Sequence, residues 1–210
     1  AHEVGNPLSA ISSLGQTLRE DEKDPARADK LEILLHQVDR LKRTVDRIKG
    51  GIREGRTLES IPVGALIQEA LSLLRFDGHI SSRVQIRVSP LPQDVQAHAD
   101  RWAFIQILTN LVLNAVEAMG RDGGEIQVTA LRENGRIRVI VRDSGPGISG
   151  EIQKRLFELF VTSKPQGTGI GLFVSRRLAA SMGGDLSAGN RLEGGAELVL
   201  TLPEAQGESK

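Results

Sequence analysis

Residues 100–119 read DRWAFIQILTNLVLNAVEAM. Asp100 suits a helix N-cap. Ile105, Ile107, Leu108, Leu111, Val112, Leu113 and Val116 make the rest apolar, so the spacing predicts a long buried helix reaching about Met119. Asn110 and Asn114 interrupt it four residues apart, hence on one face. Two amides in an apolar helix are unfavourable unless they hydrogen-bond or coordinate something. An Asn carbonyl is a hard oxygen ligand suited to Mg²⁺, which takes few protein oxygens beside phosphates and waters. A pair of capping or solvent-facing amides has the same spacing.

The segments around this helix alternate in type. Val63–Leu74 carries helical periodicity, Val84–Val88 alternates as a strand, and Val95–Ala99 reads as another. Ile126–Ala130 and Ile137–Val141 flank Asn134-Gly135, a strong hairpin signal. Glu151–Phe160 and Ile170–Met182 are helix-like, and Asp185–Ala188 and Ala196–Leu202 are strand-like about Gly194-Gly195. Helices segregated from hairpin-connected strands indicate an α+β layer fold.

Two glycine clusters carry chemistry. Asp143-Ser-Gly-Pro-Gly147 follows a strand, and its glycines Gly145 and Gly147 let backbone approach a flat ligand. Asp143 supplies a carboxylate acceptor suited to an exocyclic amine such as that of adenine, although an ordinary Gly/Pro turn has the same composition. Gly167-Thr168-Gly169-Ile170-Gly171 opens a helix, where free N–H groups and the helix dipole favour an anion. Lys164, just upstream, is within reach of phosphate oxygens. The spacing is neither the Rossmann fingerprint nor a P-loop.

The chain divides near residue 60. Residues 1–54 read as two amphipathic helices, with Val4, Leu8, Ile11, Leu14 and Leu18 on one and Leu31, Leu34, Val38, Leu41, Val45 and Ile48 on the other. The charged turn Glu20–Asp24 and Pro25 separate them. A hairpin with one narrow apolar seam per helix is expected to pair with a second copy as a four-helix bundle; a helical stalk has the same periodicity. Gly50, Gly51 and Gly55 weaken the second helix and lead into a connector over 55–62. His2, followed by Glu3 and Asn6, is a candidate nitrogen nucleophile.

Composition narrows the function classes. Lys+Arg 27 balance Asp+Glu 27, and aromatics are 3% of the 210 residues, which argues against a nucleic-acid surface. No cysteine is present, so disulfides and thiolate chemistry are excluded. The longest apolar runs are short, so neither a transmembrane helix nor membrane contact is expected within the chain; a cytoplasmic location is expected, with any membrane anchor in segments upstream of it.

The clusters occur in an order that resembles sensor histidine kinases. His2-Glu3-Val4-Gly5-Asn6-Pro7-Leu8 is similar to their phosphoacceptor box, and Asn110–Ala118 to their N box. Asp143–Gly147 resembles the G1 box, Leu156–Phe160 the F box, and Gly167–Leu172 the G2 box. Gly194-Gly195-Ala196 with Thr201 resembles the final glycine motif and its strand. The N box and Thr162–Pro165 are most similar to the nitrogen-regulation type.

The resemblance implies a dimeric α-helical hairpin followed by an α+β two-layer sandwich of Bergerat type. It assigns 1–54 to dimerisation and histidine phosphotransfer, 63–203 to ATP binding, and 204–210 to a polar tail. It implies ATP and Mg²⁺ as cofactors, with Asp143 on the adenine amine, Asn114 as metal ligand and Asn110 beside it. Gly167, Thr168, Gly169, Gly171 and Leu172 then lie at the phosphates, with Lys164 over them and Thr201 as a further nucleotide-binding residue on the closing strand. His2 takes the phosphoryl group, Glu3 its displaced proton, and Asn6 orients water for dephosphorylation. The implied partners are a second copy and a response regulator receiver domain. Preceding sensor segments are expected, because the phosphoacceptor His lies mid-helix in this family. Related ATPases and chaperones share the ATP boxes but carry Glu at the position of Asn110 and lack the hairpin; a scaffold that binds without transfer is the other alternative.

Overall fold

The computed structural model describes residues 2–25, 27–32, 34–35, 38, 57–76, 83–90, 95–164 and 167–205. The chain forms two compact units, residues 1–53 and 54–210.

In the first unit α1 (His2–Asp21) is followed by a short break and by helical backbone again from Pro25. The break falls on the charged turn, where a proline fits the opening of a new helix. Gly15 is buried against Leu35, so closely that a Cβ there would stand 2.8 Å from Leu35 Cδ2. Arg19 and Glu32 pair at 3.9 Å. Gly15 meets Leu35 while the later Arg19 meets the earlier Glu32, so the helices run antiparallel, as the sequence predicts. Ile11, Leu14 and Leu18 of α1 and Leu34 opposite are exposed apolar residues. The expected seam residues Leu41, Val45 and Ile48, and the glycines of 50–55, lie outside the described residues.

The second unit opens with β1 (Glu59–Pro62), antiparallel to β3 (Gln96–Ala99). Helix α2 (Val63–Phe76) and strand β2 (Val84–Val88) come between them. Helix α3 (Arg101–Met119) then leads into β4 (Gly124–Glu133) and β5 (Arg136–Asp143). The short α4 (Gly150–Gln153), α5 (Gly171–Ser181), β6 (Asp185–Asn190) and β7 (Ala196–Pro203) complete the unit. The main sheet has the order β2-β4-β5-β7-β6, with β2 and β4 parallel and the other neighbours antiparallel.

Alternation sets the layers. Ile126, Val128 and Ala130 of β4, Ile137, Val139 and Val141 of β5, and Leu198, Leu200 and Leu202 of β7 are buried in period two. They face Leu66 and Ile67 of α2, Phe104, Ile107, Leu108 and Leu111 of α3, and Leu178 of α5, also buried. The other face carries ion pairs such as Arg142–Glu197 at 2.6 Å and Arg87–Glu125 at 3.2 Å. This is the helical hairpin and two-layer α+β sandwich expected from the sequence. Helix α3 is long and apolar enough to cross a membrane by length and composition, but its apolar residues form this core.

Local signals behave as their chemistry requires. Asp100 caps α3 by accepting from the Ala103 N–H at 2.8 Å. Asn134 and Gly135 both take positive φ, 52° and 69°, matching the twist of a two-residue hairpin. The expected helix over Glu151–Phe160 is only partly present: three of its residues, Glu151–Gln153, are α-helical and the rest is turn and bend. Phe160 takes φ 67°, which no helix accommodates, and its N–H donates to the Gly169 carbonyl at 3.1 Å. That cross-loop bond displaces the helical one.

Candidate functional site

Helix α3 (Arg101–Met119) gathers the polar groups along its length. At its middle, Asn110 Nδ2 donates to Ser175 Oγ at 3.0 Å. The same amide fills the space beside Gly171, where a Cβ would collide with Asn110 Oδ1. One turn on, Asn114 Nδ2 is buried and lacks a hydrogen-bond partner, alone in this among the described residues. The Asn114 carbonyl accepts from Lys164 Nζ at 3.3 Å, and Lys164 Nζ also pairs with Glu117 at 2.7 Å. At the C-terminal end Met119 lies against Gly145, with Cγ 3.4 Å from where a Gly145 Cβ would be. The stretch from Asn110 to Met119 is about 13 Å long on the helical rise. The fold therefore brings Asn110, Asn114, Lys164, Gly145 and Gly171 to one helix.

Asp143 ends β5 at 2% exposure. Its Oδ1 accepts from the Gly145 N–H at 2.9 Å and the Ala196 N–H at 3.2 Å. Neither bond uses Oδ2, which no described group engages. A buried carboxylate with one oxygen fixed by backbone and the other unengaged is a rigid acceptor for a ligand N–H. Gly195, at φ 84°, presses on the Asp143 carbonyl so closely that a Cβ would overlap it. Gly147 takes φ 79° beside Asn190, whose amide bonds Ile148 through both ends, at 2.7 and 2.8 Å. These contacts hold the Asp143–Gly147 loop open next to α3.

The glycine cluster leads directly into the start of α5 at Gly171. Its N-cap position, Ile170, provides no side-chain hydrogen bond, so first-turn N–H groups lack a side-chain partner. Gly169 takes φ 63° and packs against the Phe160 backbone with no room for a Cβ. The Gly167 N–H donates to the Lys164 carbonyl at 3.0 Å, and Thr168 and Leu172 are half-buried on either side of the turn.

Thr201 is the exception. On β7 the buried Ala196, Leu198, Leu200 and Leu202 alternate onto the helix-covered face, so Thr201 lies on the opposite face with Val199, paired in register with Arg138 and Asp185. The closing-strand residue that meets Asp143 is Ala196, through its N–H. Ser175 and Glu117 are the site neighbours that sequence reasoning did not single out, and Ala196 was named only as part of the final glycine motif. His2, Glu3 and Asn6 lie in helical backbone at the start of α1, and their side chains are outside the described residues.

Residues 99–206 match the model of the histidine kinase-, DNA gyrase B- and HSP90-like ATPases, and residues 1–49 match that of the His Kinase A phospho-acceptor domain. The chain belongs to the sensor histidine kinases. It is 31% identical over 205 residues to the signal transduction histidine-protein kinase AtoS of Escherichia coli K12, covering 97% of this chain and 33% of AtoS. The sensor histidine kinase ZraS of the same strain is 32% identical, covering 97% of this chain and 44% of ZraS. The sensory histidine kinase/phosphatase NtrB of Salmonella typhimurium is 31% identical, covering 85% and 53%. The chain thus spans a third to about half the length of these relatives.

Among solved structures, full-length ShkA in complex with AMPPNP superposes with TM-score 0.75 at 28% identity, over 98% of this chain and 44% of ShkA. The catalytic domain of the histidine kinase ThkA superposes with TM-score 0.62 at 30% identity, over 70% of this chain and 96% of that domain. Membership in this kinase family, with a phospho-acceptor domain before the ATPase domain, disfavours a chaperone-type ATPase.

Proposed function

We propose that this chain is the catalytic part of a cytoplasmic-facing sensor histidine kinase, which phosphorylates His2 from ATP, passes the phosphoryl group to an Asp of a response regulator, and dephosphorylates that regulator. Residues 1–54 serve dimerisation and phosphotransfer, 55–62 connect, and 63–203 bind ATP. The observation that carries this reading is the unpartnered Asn114 amide, flanked on α3 by an ammonium and, toward the helix end, by the Asp143 loop. A buried polar group without a protein partner is costly unless a ligand completes it. The amide nitrogen suits a phosphate oxygen and the amide oxygen a divalent cation, so the residues fit Mg·ATP. The AMPPNP bound by ShkA supports an adenine nucleotide as ligand.

When bound, Mg²⁺ offsets charge on the phosphates. The chain's own residues do the rest. Asp143 Oδ2 accepts the adenine amine; Lys164 and the first-turn N–H groups of α5 hold phosphate oxygens. An unprotonated His2 nitrogen attacks the γ-phosphorus as its bond to the bridging oxygen breaks; ADP leaves, and Glu3 accepts the imidazole proton. Asn110 cannot accept a proton at neutral pH, so water at the γ-phosphate lacks a base and hydrolysis stays slow. Asn6 orients, without deprotonating, the water that releases phosphate from the regulator. The name of NtrB, kinase/phosphatase, supports that second activity.

γ-Labelled ATP tests this. Acid-labile, base-stable label should appear on the chain and be absent from His2→Ala. Label persisting in His2→Ala refutes the nucleophile, and rapid release of free phosphate by that variant favours an ATPase.

A further inference from the structure

Lys164 does not stand free at the site. Its ammonium bonds the Glu117 carboxylate at 2.7 Å and the Asn114 carbonyl at 3.3 Å, both on the last turns of α3. Its backbone is anchored as well: the N–H donates to Thr162 Oγ1 at 3.1 Å, and the carbonyl accepts from the Gly167 N–H. The C-terminal end of α3 adds its negative dipole to the attraction. Glu117 places a full negative charge beside the Lys164 ammonium, next to the unpartnered Asn114 amide.

We propose that Glu117 is a positioning residue that parks Lys164 on α3 and is displaced from it by the polyphosphate of the nucleotide. The inference rests on the phosphate role given to Lys164 above. An ammonium shared by carboxylate and phosphate binds the phosphate less tightly than one that is free, so Glu117 lowers nucleotide affinity through Lys164. The pair is partly solvated, with side-chain exposures of 31% for Lys164 and 56% for Glu117. Exposed pairs of this kind are weak, which limits the effect to about two- to fivefold in affinity. A weak latch suits the role, because a strong one would bar the ligand.

The test is a double-mutant cycle on the whole chain, read as Mg·ATP affinity by calorimetry. Glu117→Gln should bind about two- to fivefold more tightly, Lys164→Met should bind more weakly, and Glu117→Gln should change nothing further in the Lys164→Met background. Structural damage from Glu117→Gln would weaken binding, the opposite sign. Unchanged or weakened binding by Glu117→Gln overturns the proposal while a loss in Lys164→Met leaves the phosphate role standing. A gain that persists without Lys164 also overturns it, since Glu117 would then act on the nucleotide directly. Full affinity in Lys164→Met refutes the phosphate role itself and the inference with it.

Discussion

Replacing Asp143 separates the binding role of its carboxylate from its structural role. Oδ1 already satisfies the N–H groups of Gly145 and Ala196, at 2.9 and 3.2 Å. Asp143→Ala strands both in a site that is 2% exposed, at about 1–3 kcal/mol each, so the chain loses stability and ligand together. Asp143→Asn keeps a carbonyl oxygen for the two N–H groups and removes only the unengaged, charged acceptor. A hydrogen bond to a charged group contributes about 1.5–3 kcal/mol, which is about 10- to 150-fold in affinity. The assay pairs thermal unfolding with calorimetric titration by Mg·ATP and by Mg·ITP, whose base has a carbonyl in place of the amine. The unmutated chain should prefer ATP. Asp143→Asn should unfold close to it, bind ATP about 10- to 150-fold more weakly, and lose most of the preference, because a neutral amide can donate to the inosine carbonyl. Unfolding unchanged with ATP affinity within about twofold would refute the adenine contact.

Three further outcomes are expected. Asn114→Ala removes a buried, unpartnered amide, so it should unfold at the same or a higher temperature while Mg-dependent ATP binding falls; a clear drop in unfolding temperature would mean that the amide is satisfied in the free protein. Gly195→Ala places a Cβ on the Asp143 carbonyl at φ 84° and should destabilise by about 1–3 kcal/mol with loss of ATP binding, so an unchanged melting curve would refute the close contact. Thr201→Val alters the sheet face away from the site and should leave ATP affinity within about twofold, a result that a tenfold loss would contradict.

Much of the architecture was legible because it rests on local chemistry. Asp100 had to cap what followed it, Asn134-Gly135 had to turn, and alternation on β4, β5 and β7 had to bury one face. The hairpin broke where a charged stretch met Pro25. Errors arose where distant residues decide. Leu156–Phe160 has apolar residues at helical spacing, but Gly169 competes for the Phe160 N–H and holds that residue at φ 67°. Thr201 was assigned to the site from its strand, yet it is five residues from Ala196, and an odd step along a strand reverses the face.

The site's missing members have a common cause. Asn110 meets Ser175 across 65 residues, Asp143 meets Ala196 across 53, and Lys164 meets Glu117 across 47. None of these pairs has a local signature, because a serine, an alanine N–H and a surface glutamate are ordinary in sequence. What was legible is the helix that gathers them. Its apolar residues fix α3 in the core, so its polar face cannot rotate away, and every group that reaches it inherits a fixed address. Asn110 is satisfied there by protein, and Asn114, one turn on, is not. With the helix locked by Phe104, Leu108 and Leu111, the Asn114 amide is held at a fixed place, and the proposed nucleotide role is what would give its nitrogen a partner.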